Sequence, residues 1–164
     1  FQLTNHKIGA GIMLAHVAST EGMTAVENAL GRDRVMDYAV VPSAIFTMPE
    51  IGMVGMTEQQ TKEKGYEIRV GSFPYRGLGK SHAMGKITGI AKIIADAKTD
   101  RILGMHVMGA HASDLVHEGA VLMKMGGTVH DLGETIHSHP TLSEAVMEAA
   151  HAVHGVSIHL PKEK

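Results

Sequence analysis

Two histidines and a glutamate lie within eight residues near the end of the chain, in the sequence HSHPTLSE at 137–144. Histidine is the side chain whose unperturbed pKa lies nearest to physiological pH. A carboxylate that binds one ring nitrogen leaves the other nitrogen free to accept or release a proton. The spacing is therefore compatible with a histidine base whose ring is oriented by Glu144.

The same residues also have an ordinary structural explanation. Pro140 fixes its own φ angle and keeps His139 out of the helical region. The sequence TLSE at 141–144 has the form of a capping box, in which Glu144 would bind backbone donors at a helix start. Capping boxes are common and catalytic pairs are rare, so spacing alone favours the cap. We interpret His137 as a turn residue.

The composition narrows the class of protein. The chain has 164 residues, enough for one domain with a real core. Its charges are mixed, with a formal net charge of -2 and no basic patch, so we expect no nucleic-acid partner.

No apolar run reaches the ~18 residues of a membrane span and the start lacks a signal-peptide pattern, so we expect no membrane association. The absence of cysteine excludes a disulfide framework and redox thiols within this sequence. We expect a cytoplasmic protein, or one of the mitochondrial matrix in a eukaryote.

Methionine is unusually frequent for a chain of this size. There are 12 Met residues against 3 Phe, 3 Tyr and no Trp. Methionine fills irregular apolar surfaces and adapts to binding partners, so this excess fits either a Met-rich core or a hidden interface. Composition alone favours the core.

Hydrophobic periodicity predicts a helix, then strands with one helix, and then further helices. The predicted strands are 43–47, 51–55, 66–74, 87–96 and 102–109. The predicted helices are 11–31, 57–65, 113–126, 128–133 and 141–154. The polar link at 97–101 is short enough for an antiparallel hairpin, and the small residues at 77–85 predict a connection. The order predicts an α+β fold, an antiparallel β-sheet with helices packed on one face.

Several stretches of the chain resemble one family of flavoenzymes. The stretches are MLAHVASTEG at 13–22, VPSAIFTMPEIGMVGMTEQQ at 41–60, KIIADAKTDRILGMHVMGAHASDLVHE at 92–118 and HPTLSEA at 139–145. They occur in the same order in dihydrolipoamide dehydrogenases, a branch of the pyridine-nucleotide-disulfide oxidoreductases, and HSHPTLSEA resembles that branch's HxHPTLSEA signature. The resemblance implies two parts: 1–31, a residual helix from the end of the flavin domain, and 32–164, the C-terminal dimerisation domain.

The resemblance also implies roles for individual residues. It assigns His139 as the catalytic histidine and Glu144 as its carboxylate partner. In the family this histidine exchanges a proton with a dihydrolipoyl thiol, across the dimer two-fold, while a redox-active disulfide beside FAD is reduced. The thiolate is the attacking species in such an exchange. The resemblance further implies a cis bond between His139 and Pro140. The residues expected to touch the flavin are Met13, Leu14, Ala15 and His16.

The resemblance implies partners and cofactors as well. We expect a homodimer that acts on dihydrolipoamide or on the lipoyl domain of a 2-oxo acid dehydrogenase or glycine cleavage complex. FAD and NAD are the cofactors expected in the full-length enzyme. The paired cysteines and both nucleotide-binding domains are missing from this sequence, so we expect the isolated chain to bind neither cofactor and to have no dehydrogenase activity.

Two other functions remain alternatives at this stage. One is a stand-alone structural dimerisation module without catalytic activity, which would also explain an apolar interface. The other is a metal-binding domain, since Glu148, His151 and His154 follow one another at helical spacing and His137 and His139 form an HxH. These ligand sets are incomplete, so we predict no metal site.

Overall fold

The computed structural model describes residues 11–161 and divides the chain into two compact units, with the boundary between Val41 and Pro42. The first unit contains helix α1 (Ala15–Ala29) and the extended segment that follows it. Asn28 fixes this segment, because its side chain donates to the Arg34 carbonyl (2.9 Å) and accepts from the Arg34 amide (2.7 Å). The domain limits at 1–31 and 32–164 stay a prediction. Nowhere between residues 11 and 161 is a helix both long and apolar enough to span a bilayer.

The second unit contains a five-stranded antiparallel sheet, as the sequence predicts. Its strands are β1 (Ser43–Ile45), β2 (Glu50–Gly55), β3 (Ile68–Pro74), β4 (Ile90–Asp96) and β5 (Ile102–Gly109). Their order across the sheet is β1-β2-β5-β4-β3, and every neighbouring pair is antiparallel. The polar link after β4 returns the chain directly into β5, which is the predicted hairpin.

The two longest helices of this unit cover one face of the sheet. The unit's helices are α2 (Glu58–Glu63), α3 (Gly79–Ala83), α4 (Ala112–Met125), α5 (Val129–Glu134) and α6 (Glu144–Val153). Helix α4 packs on β2 and β5, α6 packs on β3 and β4, and α5 packs against α6. Side chains alternate between the faces of a strand, so one row from each strand points at the helices. That row supplies much of the core, including Val54, Phe73, Ile93, Met105 and Val107. The α+β fold with helices on one face is confirmed.

One segment differs from its predicted structure. Residues 77–85, expected to be a connection, include the end of a 3₁₀ turn (Tyr75–Gly77) and the short helix α3. Small residues give no hydrophobic period from which a five-residue helix could be recognised. The helix is positioned instead by tertiary contacts, since Leu78 and Ser81 are buried.

Candidate acid–base site

The loop between α5 and α6 carries the HSHP motif and ends where α6 begins, at Glu144. The His139–Pro140 bond is cis, as the resemblance implies. His139 thus lies in the loop, and Glu144 is the first residue of α6.

His139 and Glu144 form a hydrogen-bonded pair. The His139 Nδ1 atom donates to Glu144 Oε1 over 2.8 Å. An ionised carboxylate only accepts hydrogen bonds, so Nδ1 carries the proton in this arrangement and Nε2 is the basic nitrogen of the neutral ring. The His139 side chain is 76% exposed, whereas that of Glu144 is 15% exposed. Glu144 thus holds the ring from the protein side, and the exposed side chain of His139 carries the nitrogen that can accept a proton.

The second oxygen of Glu144 binds the backbone. Glu144 Oε2 accepts from the amide of Thr141 over 2.8 Å. Burial raises the pKa of Glu144, but the hydrogen bonds from the Thr141 amide and from His139 outweigh it and hold that pKa below its usual value. Glu144 is therefore ionised at neutral pH, the state that stabilises a charged imidazole.

Only half of the expected capping box forms. Glu144 accepts the Thr141 amide, as a capping box requires, but the Thr141 hydroxyl donates to the Ser138 carbonyl (2.7 Å). The residue before α6 is Ser143, and its side chain does not cap the helix. The cap and the acid–base pair are thus not alternatives, because one carboxylate serves both through different oxygens.

His137 is more than the turn residue that the sequence suggests. Its Nδ1 lies 2.7 Å from the Thr135 carbonyl oxygen, and its Nε2 lies 3.1 Å from a carboxylate oxygen of Glu118 on α4. Both partners only accept hydrogen bonds, so both ring nitrogens are arranged to donate. The bond to Glu118 raises the pKa of His137 and outweighs its burial, at 6% side-chain exposure. No local pattern predicts this pair, since 19 residues separate its members.

A second carboxylate of α6 binds the segment that follows the helix. Glu148 is fully buried and accepts from the amides of Ile158 (3.0 Å) and His159 (3.3 Å). It also accepts from His159 Nδ1 over 2.8 Å and from the Ser157 hydroxyl. Burial raises the pKa of Glu148, and these hydrogen bonds lower it below its usual value. The sequence shows the acidic residue but not its partners.

The candidate metal ligands contact different groups. Glu148 binds His159, and His154 Nε2 lies 3.2 Å from Asp100 Oδ1. His137 and His139 bind carboxylates on different helices. In the part of the chain that the structure describes, no three His, Asp or Glu side chains are grouped so as to hold a metal ion.

The segment expected to touch a flavin lies at the start of α1, in the first unit. Leu14 is the residue before the helix, its side chain does not cap it, and no acidic residue occupies the first turn. Met13 is almost completely exposed. Helix-start amides lack intrahelical acceptors and favour an electronegative group, so this end fits a contact with a polar heterocycle. The role of residues 13–16 stays a prediction.

Comparison with known proteins relates the second unit to a family. Residues 41–150 match the family described as pyridine nucleotide-disulphide oxidoreductase, dimerisation domain. The matched region contains the sheet, α4, α5 and most of α6, and therefore both His139 and Glu144.

Similar proteins include several dihydrolipoyl dehydrogenases. The enzyme of Thermus scotoductus is 45% identical over 90% of this chain and 32% of its own length. The mitochondrial enzyme of Pisum sativum is 42% identical over 92% of this chain and 30% of its own length. The chain thus spans about a third of these relatives.

Solved structures agree with this relationship. LpdA from Mycobacterium tuberculosis superimposes with a TM-score of 0.80 at 29% identity, over 86% of this chain and 31% of that one. The HOCl-induced flavoprotein disulfide reductase RclA from Escherichia coli gives a TM-score of 0.79 at 26% identity, over 85% of this chain and 33% of that one.

Proposed function

We propose a function from one premise: the chain belongs to the pyridine nucleotide-disulphide oxidoreductase family, whose dimerisation domain it contains. In this proposal, residues 32–164 form the dimerisation domain of a dihydrolipoamide dehydrogenase-like enzyme and residues 1–31 belong to the end of its flavin domain. The domain supplies His139 and Glu144 as the acid–base pair for oxidation of dihydrolipoamide.

The observation that carries the proposal is the orientation of the His139 ring. Glu144 binds Nδ1 over 2.8 Å and is itself held by the Thr141 amide over 2.8 Å, so the ring is fixed from within the protein. Its basic nitrogen, Nε2, belongs to a largely exposed side chain. A base must present such a nitrogen to the proton that it removes.

The proposed chemistry of the pair is a proton transfer. His139 Nε2 accepts the proton of a dihydrolipoamide thiol, which leaves a thiolate as the nucleophile for thiol–disulfide exchange. The imidazolium that forms is stabilised by Glu144, which is already ionised because its pKa is lowered. The same nitrogen releases the proton when the ring returns to its neutral state.

Cofactors enter through the rest of the full-length enzyme. In that enzyme, FAD and a disulfide would supply the electron-transfer chemistry, with NAD as the electron acceptor. Within this chain, Met13, Leu14, Ala15 and His16 would contact the flavin from the uncapped start of α1. The isolated chain is proposed to bind neither cofactor and to lack dehydrogenase activity.

The proposed partners are a second copy of the chain and a lipoyl group. Of the 12 methionines, only Met105 is buried, so the methionine excess lies mainly outside the core. An adaptable apolar surface of this kind supports a homodimer. The lipoyl group would be free dihydrolipoamide or the lipoyl domain of a 2-oxo acid dehydrogenase or glycine cleavage complex. The compartment proposed is the cytoplasm, or the mitochondrial matrix in a eukaryote.

Substitution of His139 in the full-length enzyme tests this function. We expect His139→Gln to lower the rate of dihydrolipoamide oxidation by about 100-fold or more, the contribution typical of a positioned base. The flavin absorbance should be retained, because this proposal assigns the flavin contacts to residues 13–16 and not to His139.

His130→Gln is the matched control, because His130 is an exposed histidine of α5 whose backbone amide, not its ring, makes the contact with Asp100. It should retain wild-type turnover. Unchanged turnover in His139→Gln would favour the alternative, a structural dimerisation module without catalytic residues.

A further inference from the structure

The loop between α5 and α6 contacts two different helices, on either side of His139. On the C-terminal side, Glu144 of α6 accepts from the His139 ring (2.8 Å) and from the Thr141 amide (2.8 Å). On the N-terminal side, the Nε2 atom of His137 lies 3.1 Å from Oε2 of Glu118 on α4. Helix α4 packs on β2 and β5, whereas α6 packs on β3 and β4. The position of His139 therefore depends on contacts with both helices.

His137 is the inward-facing residue of an otherwise exposed stretch. The structure describes the whole of 135–140, and within it every residue except His137 is exposed. The His137 side chain is 6% exposed, whereas that of His139 is 76% exposed. An exposed stretch makes few buried apolar contacts, so its order has to come from polar contacts. The bond to Glu118 thus fixes the N-terminal half of the loop to α4.

The two bonds of the His137 ring have different consequences for the loop. Nδ1 lies 2.7 Å from the Thr135 carbonyl oxygen, a contact within the loop, whereas the Nε2 bond joins the loop to Glu118. Ser138 follows directly, and its carbonyl accepts from the Thr141 hydroxyl over 2.7 Å. The backbone between the two histidines of the motif is therefore restrained from both directions.

We infer that His137 is a positioning residue of the acid–base site, because its bond to Glu118 holds the loop where the His139 ring reaches Glu144. The inference rests on the proposed function, since it assigns His137 a part in the same site. His137 acts through the loop backbone and makes no contact with substrate in this scheme. The HxH pattern then combines an anchor with the histidine that exchanges the proton.

Two substitutions separate the bonds of the His137 ring. The side-chain amide of Asn places a donor near the position of Nδ1, and the longer side chain of Gln places one near the position of Nε2. His137→Asn therefore keeps a donor for the Thr135 carbonyl and loses the bond to Glu118. His137→Gln keeps a donor within reach of Glu118, so it is the conservative variant that should restore the effect.

Backbone order in the 164-residue chain tests whether this bond holds the loop. Amide spin relaxation is measured by NMR at about pH 6, below the ordinary histidine pKa of about 6.5. We expect His137→Asn to lower the order parameters of Ser138 and His139 from about 0.85, typical of rigid backbone, to below about 0.6. His137→Gln should remain nearer to wild type.

His130→Asn is the matched control, because His130 is an exposed histidine of α5, and it should leave both order parameters unchanged. Low order parameters in the wild type, or unchanged values in His137→Asn, would overturn the inference.

Flavin reduction in the proposed full-length enzyme tests whether the held loop matters for the reaction. We expect His137→Asn to slow reduction by dihydrolipoamide roughly 10-fold or more, because a small displacement of a catalytic group is costly. Reduction by NADH should stay near the wild-type rate, and His137→Gln should recover most of the rate with dihydrolipoamide. Equal rates in the two variants, or an equal loss with both reductants, would show a merely structural role.

Failure of this inference is distinguishable from failure of the proposed function. Retained turnover in His139→Gln would overturn the proposed function, and the relaxation measurement, which needs no turnover, would still report whether His137 holds the loop.

Discussion

Two carboxylates near the start of α6, Glu118 and Glu144, each fix one imidazole of the loop before the helix, but at different depths. Glu118 binds a nearly buried ring, whereas Glu144 binds a largely exposed one. Burial suits a structural contact, and exposure suits a group that meets a substrate. The same pairing of residue types therefore supports different roles, and the accessibility of the ring decides between them.

The His137–Glu118 pair should make stability depend on pH in a defined direction. The pKa of His137 is raised on folding, chiefly by Glu118, so the stabilisation is complete below the unfolded pKa of about 6.5 and is lost as pH rises through the folded pKa. We expect His137→Asn to lower the free energy of unfolding by about 1–2 kcal/mol near pH 6. The loss should shrink as pH rises towards 9.

Urea denaturation across this pH range measures the effect. His117→Asn is the matched control, since His117 is an exposed histidine of α4, and it should lower the free energy of unfolding near pH 6 by less than His137→Asn does. A difference for His137→Asn that grows with pH would show that the neutral ring is the stabilising form, contrary to the geometry.

The sequence predicts local contacts of the site but not its long-range contacts. The His139–Glu144 pair spans five residues, and the family resemblance implies both the pair and the cis bond at Pro140. The His137–Glu118 contact requires the loop to pack against α4. Nothing in the periodicity of either segment specifies that packing.

At the level of elements, two glycines of the sheet let helices lie directly on the strands. A Cβ atom at Gly71 of β3 would lie 2.3 Å from the Ala149 carbonyl oxygen of α6. A Cβ atom at Gly52 of β2 would lie 2.2 Å from the Ala112 carbonyl oxygen of α4. Real Cβ atoms do not approach backbone oxygen so closely, so a larger residue at either position must displace a helix.

Gly71→Ala should therefore destabilise the second unit by about 2 kcal/mol or more, because α6 has to move away from β3. Gly79→Ala is the matched control in the same unit, since a Cβ atom there would meet nothing within 4 Å. We expect the control to change stability by less than about 1 kcal/mol. Chemical denaturation of both variants measures the difference, and equal stabilities would contradict the close packing of α6 on β3.

Elements with a strong hydrophobic pattern were predictable, and those without one were not. The sequences of β4 and β5 are mostly apolar and are bounded by turn residues, and both strands lie within the predicted ranges. Helix α3 has no apolar period, so only the packed structure defines it. The ends of α6 also differ from prediction, because Glu144 binds the loop and starts the helix three residues after Thr141.

At the level of the whole molecule, many large apolar side chains are exposed to solvent, and the packing of the core does not account for them. Several lie in the second unit: Phe46, Met48, Val121, Met125 and Ile136. Their presence on a chain of the dimerisation-domain family supports pairing of two copies.

We expect the chain to form a homodimer at micromolar concentration, with twice the mass of one chain by light scattering. Its melting temperature should also rise with protein concentration, because dissociation accompanies unfolding of a dimer. A monomeric mass together with a concentration-independent melting temperature would contradict this expectation.

Removal of a thiol proton by His139 can be measured through rapid reduction of the flavin in the proposed full-length enzyme. In the proposed full-length enzyme, dihydrolipoamide and NADH would both reduce the flavin, but only dihydrolipoamide would require a proton acceptor at its thiol. We predict that His139→Gln slows reduction by dihydrolipoamide about 100-fold or more and leaves reduction by NADH near the wild-type rate. An unchanged rate with dihydrolipoamide, or an equal loss with both reductants, would contradict this role of His139.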